Sequence, residues 1–156
     1  MIHNKSTRYA LYAALEMAAA PSDTFVTAAE VAERYRIPAT VLAKVFQQLV
    51  RAGIAAGTRG AGGGYQLAAE ASELTMLDVI EVFEPTHTEG ACVLQEPEDV
   101  PCATPGDCRI RQVFDEVQEQ VRSTYASISL ETLAWGGRMP GLVTLTYSPS
   151  DSVSTS

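Results

Sequence analysis

The sequence is poor in the residues on which several protein classes depend. Of its 156 residues only three are cysteine, two are histidine and one is tryptophan. An odd, small number of cysteines excludes a disulfide-stapled scaffold. Two histidines, His3 near the start and His87 far away, with no evident orienting partner or oxyanion hole, leave little with which to build a nucleophile–base pair, so an enzyme is not expected. No apolar run approaches the length of a membrane span. The stretch from Met1 to Arg8 is polar and lacks the apolar core of a secretory signal, so the expected location is the cytoplasm, with no membrane partner. The one glycine-rich run is followed by Tyr65 and Gln66 rather than Lys and Ser/Thr, which argues against a phosphate-binding loop.

What is present is unevenly placed. The net charge is −8, yet residues 1–67 carry +3 and residues 68–156 carry −11. A basic front half suits a polyanion, and an acidic back half limits indiscriminate binding to it. An apolar content of 46% is enough to bury a core in a chain of this length.

The spacing predicts a mainly α fold. Ala10, Leu11, Ala14, Leu15 and Ala18 form one face of a helix over residues 6–20, stopped by Pro21. Thr27-Ala28-Ala29-Glu30 is a capping box that opens a short helix to about Tyr35. After a turn at Arg36-Ile37, Pro38 opens a second helix carrying Val41, Leu42, Val45, Phe46, Leu49 and Val50, which ends at Gly53. Two short helices joined by so tight a turn form a helix-turn-helix. Ile54 to Thr58 and Tyr65 to Leu67 read as two strands around Arg59-Gly60-Ala61-Gly62-Gly63-Gly64, a hairpin in the position of a wing. Thr75 to Asp78 is a second capping signal, for a helix to Phe83. Residues 85–107, with four prolines and two of the cysteines, read as a long functional loop. From Cys108 to about Ala134 one long helix is expected, with Ile110, Val113, Phe114, Val117, Val121, Tyr125 and Ile128 as an apolar stripe. It would reach roughly 40 Å, and a partner helix is its natural cover, hence a homodimer. Residues 136–156, rich in Gly, Pro, Ser and Thr, read as a disordered tail. The organisation is therefore a winged helix-turn-helix domain (1–84), a cysteine-bearing sensing loop (85–107), a dimerisation helix (108–135) and a tail (136–156).

The helix from Pro38 presents Ala39, Thr40, Ala43, Lys44 and Gln47 outward. Helices of this kind enter the DNA major groove, where Thr40, Lys44 and Gln47 can bond bases or phosphates. The start of the preceding helix, at Thr27 and Ala28, can offer backbone N–H groups to a phosphate. In the wing, Arg59 can enter a minor groove, and Gly62, Gly63 and Tyr65 belong to the hairpin that would approach the sugar-phosphate.

With these motifs in place the chain resembles the Rrf2 family of bacterial regulators. The matching residues are Arg8-Tyr9-Ala10-Leu11, Val31-Ala32-Glu33, Leu42 with Phe46 and Leu49, Arg51-Ala52-Gly53-Ile54, the wing from Arg59 to Leu67, and Leu74 to Ile80. The wing is the most specific of these, although Ala61 stands where the family usually has Pro. The resemblance implies a homodimer on a partly palindromic double-stranded DNA operator, with crossed C-terminal helices, Arg59 in the minor groove, and Thr40 and Lys44 in the major groove. Members with dual site specificity carry Glu where Ala43 stands, which bears on the operator sequence.

The resemblance also gives the cysteines a role. Many members hold an iron–sulfur cluster on three cysteines in this loop, which here would be Cys92, Cys102 and Cys108, spaced x9 and x5. Thiolates are the preferred ligands of such clusters, 2Fe–2S or 4Fe–4S. Cys108 also opens the long helix, whose N-terminus favours negative charge. Positions that supply a fourth ligand in some members hold Arg111 and Arg8 here, leaving His87, Glu89, Asp107 or a small exogenous ligand. A cluster-free thiol switch on the same cysteines, a zinc site or three inert cysteines are the other readings. Apart from DNA regulation, the rival is a winged helix used as a protein-interaction scaffold.

Overall fold

The computed structural model describes residues 3–84 and 108–137. Six helices and one hairpin follow in the order α1 (Lys5–Ala19), α2 (Ala28–Tyr35), α3 (Ala39–Arg51), β1 (Ala55–Thr58), β2 (Gly64–Leu67), α4 (Met76–Phe83), α5 (Arg109–Ala126) and α6 (Leu130–Trp135). The mainly α, winged helix-turn-helix class expected from the sequence is the one observed.

Helix α1 is the spine. Alanine forms helix at no side-chain entropy cost, and Ala10, Ala13, Ala14 and Ala18 are small enough for α3, α4 and α6 all to lie against it. Its buried face is rotated from the expected one: Ala13 and Met17 are buried, whereas Leu11 and Leu15 are only half-buried. Around it the core is completed by Val31, Leu42, Phe46, Leu49, Val79 and Leu130.

The turn chemistry follows the sequence closely. Thr27 and Glu30 form the full reciprocal capping box of α2, and Thr75 and Asp78 do the same for α4. Helix α2 ends with Arg36 in the left-handed conformation (φ 54°), and the Ile37 N–H closes back on the Ala32 carbonyl at 3.0 Å. This is a Schellman-type ending, a role glycine usually fills. Helix α3 ends in the same way at Gly53 (φ 77°), with the Ile54 N–H on the Leu49 carbonyl at 3.0 Å.

The expected long helix over 108–134 is corrected to two. Helix α5 stops at Ala126, where the Ser127 hydroxyl donates to the Thr124 carbonyl at 2.7 Å, and Ser129 caps α6 by accepting from the Thr132 N–H at 3.0 Å. The link between them pairs with the lead-in to α4: Met76 N–H donates to Ile128 O at 2.9 Å and Leu130 N–H to Leu74 O at 2.8 Å. Ile128 and Leu130 are buried, so Ile128 belongs to the interior rather than to an outward stripe, and α6 packs on α1 as part of the head. What remains of the expected 40 Å rod is an 18-residue helix, about 27 Å long at 1.5 Å per residue.

Candidate nucleic-acid interface

At 3.6 residues per turn, Thr40, Lys44, Gln47 and Arg51 fall on one line along α3, and all four are exposed. Leu42, Val45, Phe46 and Leu49 fall on the opposite line, and all four are buried. The helix is thereby fixed in rotation, and its polar strip faces away from the core. Ala43 sits at the margin, half-buried. Arg51 is a member of the strip that the sequence reading did not single out; its i+4 and i+7 spacing from Gln47 and Lys44 carries that information.

The hairpin β1–β2 pairs antiparallel from Ala55↔Leu67 to Thr58↔Gly64. Exposed Arg59 opens the connecting turn. The glycines have separate duties. Gly60 and Gly62 take φ values of 103° and 77°, which L side chains rarely adopt. At Gly63 a Cβ would lie 2.3 Å from the Thr58 carbonyl oxygen, and its N–H donates to Gly60 O at 3.1 Å. Gly62 and Gly63 are therefore first of all what the turn requires.

Tyr65, expected among the DNA contacts, also has a packing duty. Its ring stacks on Phe46 with centroids 4.3 Å apart and planes 15° from parallel. Its backbone exchanges two 2.8 Å hydrogen bonds with Val26. That bridge ties the wing to the lead-in of α2, one residue before Thr27. Tyr65 is thus the joint between wing, α3 and α2, and its ring face is committed to packing.

Thr27 is also occupied. Its hydroxyl and its N–H both donate to Glu30 Oε2, at 2.8 and 2.9 Å. Hydrogen bonds from the Thr27 backbone and side chain hold the Glu30 carboxyl below its usual range, so it is ionised at neutral pH. The Thr27 N–H and hydroxyl are thus already committed within the chain, whereas Ala28 and Ala29 are first-turn positions whose N–H groups have no intrahelical partner.

Cys108 is the N-cap of α5, a free and half-buried thiol with no side-chain capping bond. Cys92 and Cys102, with His87, Glu89 and Asp107, lie outside the described residues. Among the described residues no group of three or more His, Cys, Asp or Glu is gathered for a metal. Arg111, one turn into α5, is paired with Asp115 at 3.4 Å. No helix of the described residues is long and apolar enough to cross a membrane.

The model of Rrf2, the iron-dependent transcriptional regulator family, matches residues 3–135. The chain belongs to the Rrf2 family. Among its curated relatives, BadM of Rhodopseudomonas palustris, assigned as an HTH-type transcriptional regulator, is 36% identical over 129 residues, covering 83% of this chain and 78% of BadM. The HTH-type transcriptional regulator IscR of Photorhabdus laumondii is 29% identical over 126 residues, covering 81% of this chain and 74% of IscR. Among solved structures, CymR, the global cysteine regulator of B. subtilis, superposes with a TM-score of 0.67 at 24% identity, over 86% of this chain and 96% of CymR. T. potens IscR superposes with a TM-score of 0.66 at 23% identity, over 85% and 86% of the two chains. At those identities the structural likeness establishes the winged-helix fold. As an Rrf2 member with these relatives the chain is a transcriptional regulator and not an enzyme.

Proposed function

We propose that this Rrf2 regulator is a homodimer that reads a partly palindromic DNA operator and alters its grip according to an iron–sulfur cluster on Cys92, Cys102 and Cys108. The observation that carries the DNA part is the strip Thr40–Lys44–Gln47–Arg51, turned away from a fully packed opposite face, on a helix to which the wing is joined through Tyr65. In this reading Thr40, Lys44 and Gln47 enter a major groove, with Lys44 as the principal cation. Arg59 reaches the neighbouring minor groove. The start of α2 receives a phosphate on the backbone at Ala28.

The dimer reading is supported by α5. Ile110, Val113, Phe114 and Val117 recur at i, i+3, i+4 and i+7. They are 56%, 63%, 43% and 48% exposed, a seam of coiled-coil type that a second copy would cover.

The thiol set fits a cluster in its chemistry: Cys108 has no capping bond that would compete with ligation, and the family is described as iron-dependent. When bound, the cluster would supply redox- and nitric-oxide-sensitive chemistry at the base of α5. DNA affinity then changes only by as much as the two states differ in their fit to the operator.

The deciding experiment is anaerobic purification followed by visible absorbance, iron and sulfide assays, and salt-dependent binding to DNA from the protein's own promoter. A brown protein with sequence-selective, salt-sensitive binding is expected. A colourless, iron-free protein that still responds to oxidants supports the thiol switch instead; a second structural neighbour, the CymR of Staphylococcus aureus, solved in an oxidized form, makes that the second reading. Binding without sequence preference supports the interaction scaffold.

A further inference from the structure

Among the described residues helix α5 buries none of its own fully, and of its large apolar side chains only Val121 and Tyr125, near its C-terminal end, are even half-buried. Its polar ties are concentrated toward its C-terminal end. Arg122 pairs with Glu81 of α4. One turn later Tyr125 enters a three-element cluster that the regulator reading leaves without a role.

Glu84, the residue after α4, is at the centre of it. Its Oε1 accepts from the Asn4 N–H at 2.9 Å and from the buried Thr7 hydroxyl at 2.6 Å, both at the start of α1. Its Oε2 lies 2.8 Å from His3 Nδ1. The other ring nitrogen, Nε2, lies 2.8 Å from the Tyr125 hydroxyl on α5. A carboxylate only accepts, so Nδ1 carries the proton; in the neutral ring Nε2 then accepts from Tyr125. The chain of bonds is directional, α5 to His3 to Glu84, and it closes α1, α4 and α5 around one point. The His3 and Tyr125 rings also touch, with centroids 5.4 Å apart.

We propose that the His3–Glu84–Tyr125 clasp sets the tilt of α5 on the head and thereby the spacing of operator half-sites that the dimer accepts. This rests on the dimeric DNA-binding reading. From Tyr125 the seam lies about 12–22 Å away along the helix, so a tilt of about 10° about the clasp moves it by about 2–4 Å, comparable to the roughly 3.4 Å rise of one base pair. The far end carries the exposed seam of Ile110, Val113, Phe114 and Val117, so a tilt there is passed to the partner's head. Glu84, His3 and Tyr125 are positioning residues, since none of them is on the α3 strip or the wing.

The test uses the full chain with Tyr125→Phe, which removes one hydroxyl and keeps the ring, and His3→Ala as a second variant. Binding is measured to a single half-site and to a series of paired half-sites whose separation changes by one base pair. The parent is expected to prefer one separation sharply. Tyr125→Phe is expected to lower that preference by about fivefold, the effect of one net hydrogen bond, and His3→Ala, which removes both bonds of the ring, by more, with single-half-site affinity unchanged in both. A preference that stays the same, or affinities that fall equally at every separation, overturns the proposal. A DNA-free measurement keeps the two readings apart: spin labels on non-natural residues at Gln48 and Glu116 report the α3–α5 distance, which should broaden in both variants. An unchanged distribution overturns the clasp. A parent that binds no DNA selectively, with broadening in the variants, instead sinks the regulator reading and leaves the clasp as the holder of α5.

Discussion

The ring of Tyr65 lies flat on that of Phe46, 4.3 Å between centroids, and so fastens the wing to α3. Phe46 is fully buried and Tyr65 half-buried, so the stack transmits the position of the core to the hairpin. Tyr65→Ala is expected to lower stability by roughly 1–3 kcal/mol, from lost aromatic contact and a partly collapsed cavity. It should also weaken operator binding. Tyr65→Phe should preserve both. Urea unfolding alongside DNA titration checks the pair; loss of binding in Tyr65→Phe would make the hydroxyl a DNA contact.

Lys44 and Arg59 are exposed cations on the strip and the wing. Lys44→Ala should weaken operator binding by roughly 1–3 kcal/mol if it reads a base edge. If it meets only a phosphate, it should reduce the slope of log affinity against log salt by about one. Arg59→Ala should weaken binding most to sites with a narrow, A·T-rich minor groove. Fluorescence anisotropy over a salt series with two operator variants distinguishes these outcomes.

Phe114 stands in the middle of the exposed seam on α5. Phe114→Glu is expected to turn the dimer into a monomer without unfolding the head, because α5 buries no residue there. Sedimentation velocity reads the mass and circular dichroism the fold. A variant that remains dimeric would place the interface elsewhere.

Arg36 adopts φ 54° at the end of α2. A non-glycine residue there is strained, and Arg36→Gly is expected to stabilise by roughly 0.5–1 kcal/mol once the greater freedom of glycine in the unfolded chain is subtracted. Thermal unfolding should rise by a few degrees. A fall would mean that the Arg36 side chain makes a contribution larger than the strain it imposes.

Glu84 gives the stability a pH dependence. Burial pushes its carboxyl up, but hydrogen bonds from Thr7, His3 and the Asn4 N–H together draw it below its ordinary value of 4.5. A depressed folded pKa contributes stability that is present above the unfolded value and lost as pH falls through the folded one. The parent should therefore lose stability as the pH drops below about 4.5 more steeply than Glu84→Gln. Urea midpoints from pH 7 to pH 3 measure the two slopes; coincident curves would show that the carboxylate adds nothing.

Much of this was legible in the residues themselves, where the controlling interactions span three or four positions. Thr27 with Glu30 and Thr75 with Asp78 start their helices by bonds within one turn. Gly53, Gly60 and Gly62 mark backbone turns that other residues resist. The burial of Leu42, Phe46 and Leu49 follows from helical period alone, and so does the outward strip from Thr40 to Gln47. The break after Ala126 was only half legible. Ser129 is an ordinary cap signal, but Val121, Tyr125 and Ile128 keep a helical spacing straight through it. What ends α5 is the pairing of Ile128 and Leu130 with Leu74 and Met76, more than fifty residues away. Tertiary structure likewise gave Tyr65 its joint with Phe46, and joined His3, Glu84 and Tyr125. Local bonds depend on neighbours in sequence and can be read from them; which distant groups meet depends on how the helices pack around α1, and no periodicity records that.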